Sequence, residues 1–320
     1  SKPSKKIFYH LFWFFLLKRR KIKREIKKFI KESSPEVIVV EGIFLSPLWE
    51  IFKEKPCILY AIDCFSLNLK RKIAREGFFF FKILKRIYLK RLESLEKKYI
   101  NFKRCIVVSE KDKEALLKIC PKAKISVIPN GVDLNFFRPL DIPEDFPSVA
   151  FSGVMNYPPN IDAALYFYQE ILPLIKEKYP KIKYYIIGRN PVPSIKKLSF
   201  DSNVIVTGFV KDIKQYVGRA SVIVVPIRSG SGIKNKILEA MAQKKAIVAT
   251  PLSCVGIKVT DKEDIFIEET STAFAKRVIK LLEDKELRER VGGKARKLVE
   301  EKYTWEKASQ KLEKIIFEII

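Results

Sequence analysis

Short runs that are apolar throughout, or broken only by Ser126, are separated by helix-patterned stretches and dominate this chain. They fall at residues 37–40, 57–62, 105–108, 125–128, 149–151, 184–187, 204–206, 222–225 and 246–249. A run of three to six apolar residues without polar alternation has both faces buried, the condition of a parallel strand covered by helices. The intervening periodicity predicts helices over 11–31, 69–98, 113–119, 160–179, 235–243, 271–283, 285–303 and 305–320. Ser109, followed by Glu110 and Asp112, reads as a helix cap with acids in the first turn. Such alternation is the pattern of doubly wound α/β domains. The 320 residues suffice for two of them at roughly 150 each. The stretch 137–148, ending RPLDIPEDFPS, is the best linker. The expected division is 1–143, 144–304 and a terminal helix at 305–320.

Composition narrows the class. Hydrophobic residues make up 47% and charged residues 31%, which excludes a disordered chain. The net charge of +26 is uneven: residues 1–143 hold 33 Lys/Arg against 15 Asp/Glu, a net +18, which leaves +8 for the remainder. A basic half attracts an anionic membrane surface, nucleic acid or phosphorylated substrates. A general lysine bias gives the same excess, and charge alone leaves these readings open. No nucleic-acid-binding motif accompanies it, so no specific nucleic acid is expected. The five cysteines form no CxxC or Cys/His cluster and His10 is the sole histidine. Neither a metal site nor a disulfide framework is expected, and a reducing cytoplasm is. Residues 7–17 (IFYHLFWFFLL) are too short to span a bilayer. Followed by KRRKIKR, they resemble an interfacial anchor, so a peripheral position on the inner membrane face is expected.

Four segments follow strands of the second half, where open α/β sheets bind ligands: 151–154 (FSGV), 187–191 (IGRNP), 207–212 (TGFVKD) and 226–242 (PIRSGSGIKNKILEAMA). The last is the most informative. Gly230 and Gly232 permit a tight loop with exposed N–H groups. The loop opens a helix, whose positive end favours phosphate. Lys234 and Lys236 fall in its first turn, where cations disfavour the helix itself unless an anion is bound. Glu239, one turn on, can accept from sugar or ribose hydroxyls. An ordinary glycine turn with solvated lysines competes, but the order glycine, lysine, glutamate after a buried strand favours the anion.

SGSGIKNKILEAMA resembles the donor-binding motif of retaining glycosyltransferases of family four. IPNGVDLNFFRP (128–139) resembles the segment that ends the family's first domain. The motifs keep the family's order over roughly residues 105–300, and PPNIDAAL (158–165) is similar to a capsule or exopolysaccharide branch. The resemblance implies a GT-B fold: two Rossmann-like, doubly wound parallel-sheet domains, the first one incomplete, with a C-terminal helix crossing back. It implies that Gly230, Gly232, Lys234 and Lys236 hold the diphosphate, with Gly153 facing it and Ser231 on the sugar side of the donor site. It further implies that Glu239 binds the ribose, that the backbone at Val210 reads the base, and that Arg189 neighbours the nucleotide. Asp63, at a strand end, matches the place of an acceptor-side His-Asp pair, although Ile62 precedes it; a helix cap is the other reading.

Two departures stand out. Ser231 occupies the place of the first glutamate of the paired motif, and Met155-Asn156-Tyr157 replaces the usual arginine and lysine after the first glycine loop. Lys234 or Lys236 is then expected to serve as the phosphate cation. Nothing in residues 1–36 resembles the family's opening glycine-rich loop, so a first domain without its start is expected. The implied activity is retaining, metal-independent transfer of a sugar from a nucleotide-diphosphate donor to a glycan or lipid-linked acceptor, with no further cofactor. A catalytically weak transferase acting as a membrane- or partner-binding protein is the alternative, and an epimerase on the same fold a third.

Overall fold

All nine apolar runs form strands, and every pairing is parallel. The computed structural model describes residues 20–74, 79–230 and 232–320. The apolar stretch 7–17, His10 and Ser231 lie outside the described residues.

The chain divides into two compact units: the residues up to Ile128 together with Ser309–Ile320, and Pro129–Ala308. In the first, β1 (Ile38–Glu41), β2 (Cys57–Ile62), β3 (Arg104–Val107) and β4 (Ile125–Val127) lie in sequential order. The central strands are the apolar ones: Ile58, Leu59, Cys105, Ile106 and Val107 are all fully buried. The segment expected as one helix over 69–98 holds two, Phe65–Ala74 and Phe79–Glu96. Ser109 caps the helix Glu110–Ile119 by accepting from the Asp112 N–H, as its position predicts.

The second unit carries β5 (Ser148–Ser152), β6 (Lys183–Ile187), β7 (Val204–Gly208), β8 (Val222–Val225), β9 (Ile247–Ala249) and β10 (Phe266–Ile267), in the spatial order β10-β9-β8-β5-β6-β7. The chain winds outward from β5 to β7, then returns to the other side of β5 with β8. The order therefore reverses between β5 and β8, where the strand exits diverge. Strands β5, β8 and β9 are buried at every residue, which is why their sequences carry no alternation. Strand β10 escapes sequence reading because two residues are too few for a pattern.

The helix expected from 160 starts earlier, at Pro158, with two prolines in its first turn, where a missing N–H costs nothing. It passes through a π turn at Phe167–Ile171 and continues as Leu172–Lys176. Pro173 cannot donate to the preceding turn, and the wider turn accommodates it.

The linker expectation is corrected. Residues 137–148 do not connect the units; they lie along the second. The Asp145 N–H donates to the Arg219 carbonyl at 2.9 Å, its carboxylate takes Lys183 at 3.1 Å and the Tyr185 hydroxyl, and Glu144 meets the largely buried Arg288 at 3.1 Å. These acids have partners that lie 38 to 144 residues away. The division falls instead at Ile128, so Asn130, Gly131 and Val132 of the IPNGVD segment belong to the second unit. There Val132 donates to the Tyr303 carbonyl at 2.8 Å, and a Cβ on Gly131 would lie 2.4 Å from the Trp305 nitrogen. The last helix, Trp305–Phe317, begins in the second unit, and its residues from Ser309 group with the first. Beyond it Glu318 pairs with Arg104 at 3.1 Å.

Candidate functional site

At the reversal between β5 and β8 the second unit holds a cavity of about 300 Å³. Its walls are the β5 exit (Ser152, Gly153), the loop after β8 (Ser229, Gly230) and the first turns of the Asn235–Ala242 helix, with Tyr157, Pro159 and Asn160 closing one side. A sheet that diverges here leaves a crevice which side chains cannot fill.

The loop after β8 is anchored where it leaves the strand. Thr250 Oγ1 donates to the Ile227 carbonyl at 2.5 Å, and the Ile227 N–H donates to Ser253 Oγ at 3.2 Å. Arg228 pairs with Asp162 at 2.7 Å and lies over the Tyr166 ring. Gly230 and Gly232 have φ of 107° and 71°, in the region that glycine alone enters freely. The helix begins with Lys234 at its cap and no acid in its first turn, so the positive end of its dipole is left uncompensated by its own sequence.

Lys236 is the centre of the site. Its ammonium donates to Asn160 Oδ1 at 2.9 Å and sits 4.1 Å from the centre of the Phe151 ring. Removal from water pushes its pKa down from 10.5 to about 7; Glu239 works against that shift and Lys234 adds to it. Glu239, one turn on, is raised by burial, with the Lys236 charge opposing. The lysine therefore holds its proton weakly until a further negative charge arrives. Lys234 bends back to donate to the Gly232 carbonyl at 2.8 Å, bracing the loop.

The glycines at the strand exits make room for this arrangement. A Cβ on Gly153 would lie 2.6 Å from Asn160 Nδ2 and 2.8 Å from the Lys236 ammonium. A Cβ on Gly188 would lie 1.7 Å from the Gly153 carbonyl oxygen. Three successive exits are stitched together by Gly153 N–H to Ile187 O at 2.9 Å, Met155 N–H to Arg189 O at 2.9 Å and Gly188 N–H to Gly208 O at 3.2 Å.

Of the residues singled out from sequence, Gly153, Gly230, Lys234, Lys236 and Glu239 line the cavity. Gly232 shapes the loop without lining it. Arg189 is exposed and offers its carbonyl to Met155, and Val210 lies beyond the end of β7; neither is part of the wall, whereas Ile213 is. Asp63 follows β2 in the first unit, its N–H donating to the Ala61 carbonyl at 2.9 Å; the helix after it starts at Phe65. Asn160 was missed. Its only signal was its place behind two prolines at a helix start, which says nothing about a lysine 76 residues away.

Residues 146–284 match the model of glycosyl transferases group 1, and residues 3–136 that of glycosyltransferase family 4. Each half of the chain thus resembles a glycosyltransferase domain. The two parallel-sheet units are the Rossmann-like halves of a GT-B fold. Sucrose-phosphate synthase from Thermosynechococcus elongatus shares that fold with this chain at TM-score 0.72 and 17% identity, over 93% of this chain and 77% of that one. So does the Anabaena protein HepE, solved in complex with UDP, at TM-score 0.70 and 14% identity, over 93% and 82%. An uncharacterized 44.6 kDa protein in the cps region of Klebsiella pneumoniae is 24% identical over 140 residues, which are 41% of this chain and 36% of that protein. The match thus spans about a third of that relative's length.

Proposed function

We propose that this protein transfers a sugar from a nucleoside diphosphate donor to a glycan or lipid-linked acceptor, with retention and without a metal. The observation that carries the reading is the Lys236 ammonium, set in the switch-point cavity between Gly153 and Glu239 at the start of a helix with no acid of its own. When the bond from the anomeric carbon to the diphosphate breaks, negative charge grows on the departing oxygen. Lys236, the N–H groups of the glycine loop and the helix dipole stabilise that charge in place. Glu239, within one turn, accepts from the ribose hydroxyls. Ser231 stands in place of a sugar-contacting glutamate, so the sugar ring is held differently from the usual pattern. Asp63 serves on the acceptor side.

HepE holds UDP, which makes uracil the first base to try, and the relative in a cps region fits a role in cell-envelope polysaccharide synthesis. The five cysteines are all free and buried, which suits a reducing compartment. The basic first unit is suited to an anionic surface.

The test is a thermal-shift titration with UDP, GDP, ADP and CDP and their sugar conjugates. At about 100 times its dissociation constant a true ligand adds about 2.7 kcal/mol of stability. A response to one base identifies the donor. No response to any of them removes the donor reading and leaves a binding protein without turnover.

Asn160→Asp gives a second test. A carboxylate beside the Lys236 ammonium holds it charged at higher pH and competes with the phosphate. Nucleotide affinity is expected to fall at least tenfold, about 1.4 kcal/mol, together with about 1 kcal/mol of folding stability, because the Asn160 amide also donates to the Val154 carbonyl at 3.0 Å. Unchanged affinity detaches Asn160 from the site.

A further inference from the structure

The helix Phe79–Glu96 carries two apolar stripes where burial needs only one. At about 100° per residue, Leu92, flanked by Tyr88 and Leu95, faces the core of the first unit. Ile83 and Ile87 fall on the opposite side. With Leu84 they remain exposed, at 40%, 58% and 47%. A lone exposed aliphatic residue is ordinary; three within two turns of an already anchored helix form a patch.

Cations border that patch. Arg86 and Lys90 are exposed and Lys82 is half-buried. The helix's two acids do not offset them. Glu93 pairs with Lys70 at 2.7 Å, and Glu96 is fully buried, accepting from the Ser66 N–H at 3.0 Å. The helix Arg20–Ser33 repeats the pattern: Ile26 and Ile30 pack on the core, while Phe29 is 69% exposed among exposed Lys27, Lys28 and Lys31.

Apolar tips interleaved with cations match a surface that is anionic outside and apolar beneath. The headgroup layer of an anionic bilayer is such a surface. The centre of a protein interface, by contrast, is depleted of lysine. No helix among the described residues is long and apolar enough to cross a membrane, so the contact is docking, not spanning. We propose that this face of the first unit docks on an anionic lipid bilayer. Ile83, Leu84 and Ile87 enter among the headgroups, and Lys82, Arg86 and Lys90 meet the lipid phosphates. The inference is independent of the donor site.

The experiment is flotation of the whole chain with vesicles of phosphatidylcholine, alone or with about one-third phosphatidylglycerol. The chain is compared with Ile83→Ser/Ile87→Ser and Arg86→Glu/Lys90→Glu. The unaltered chain is expected to float with the anionic vesicles and to be released by high salt. Each double variant is expected to lose roughly tenfold or more in partitioning while keeping its circular dichroism and melting temperature. Binding that survives both variants, or no binding to anionic vesicles, overturns the proposal. So does a change from dimer to monomer in the isoleucine variant, which would assign the patch to a second copy.

Discussion

Lys236→Ala is expected to weaken nucleoside diphosphate binding roughly a hundredfold near neutral pH, because it removes a charge-assisted hydrogen bond from the cavity. The pH dependence is the sharper signature. In the free protein Lys236 titrates near 7, well below the ordinary 10.5. A bound diphosphate favours the ammonium and raises that pKa. Binding therefore takes up a proton above pH 7. Affinity is fully present below the free-state pKa and falls as pH rises, approaching tenfold per unit, until the bound-state pKa is passed. The terminal phosphate ionises near pH 6, so its own charge is constant over this window.

Stability of the unliganded chain moves the other way. Between about 7 and 10.5 the unfolded state keeps a proton on Lys236 that the folded state has released, so this residue makes stability rise with pH across that range. Calorimetric titration between about pH 7 and 9 in two buffers of different ionisation enthalpy counts the protons directly. In Lys236→Ala both the proton uptake and the pH slope should vanish. Affinity that is flat with pH in the unaltered protein removes Lys236 from the phosphate site.

Gly188→Ala is expected to have the largest effect on folding. Its Cβ would sit 1.7 Å from the Gly153 carbonyl oxygen, a backbone atom of the adjacent strand exit that no rotamer change can move away. Relief requires β5 and β6 to separate at their exits, where five residue pairs of one ladder end. A cost of about 3 kcal/mol or more corresponds to a fall in Tm of about 10 °C for a unit of this size. Nucleotide binding should be lost with it, since Gly153 and Lys236 line the same cavity. Gly293→Ala is the control. A Cβ there meets nothing within 4 Å, on the helix Lys285–Lys302. Alanine in that helix should stabilise by about 0.5–1 kcal/mol. Equal melting temperatures for the two variants would show that the strand exits tolerate separation.

The sequence by itself determined every strand but β10, most firmly those at the centre of the second sheet, because a strand buried on both faces must be apolar. Val222–Val225 and Ile247–Ala249 admit little else. It also determined the glycine loop and its lysines, because a loop with φ above zero at Gly230 and Gly232 needs that residue type, and a cation at a helix start needs a reason. Tertiary structure alone decided three matters. Residues 137–148 became part of the second unit because their acids meet Lys183, Tyr185 and Arg288, and partners that distant leave no local trace. Strand β10 exists because its neighbour's edge accepts it, as where the Glu268 N–H meets the Ala249 carbonyl. Asn160 became a site residue because the crossover from β5 brings its amide to Lys236. A hydrogen bond between residues so far apart is a property of the sheet order, and only folding the chain reveals it.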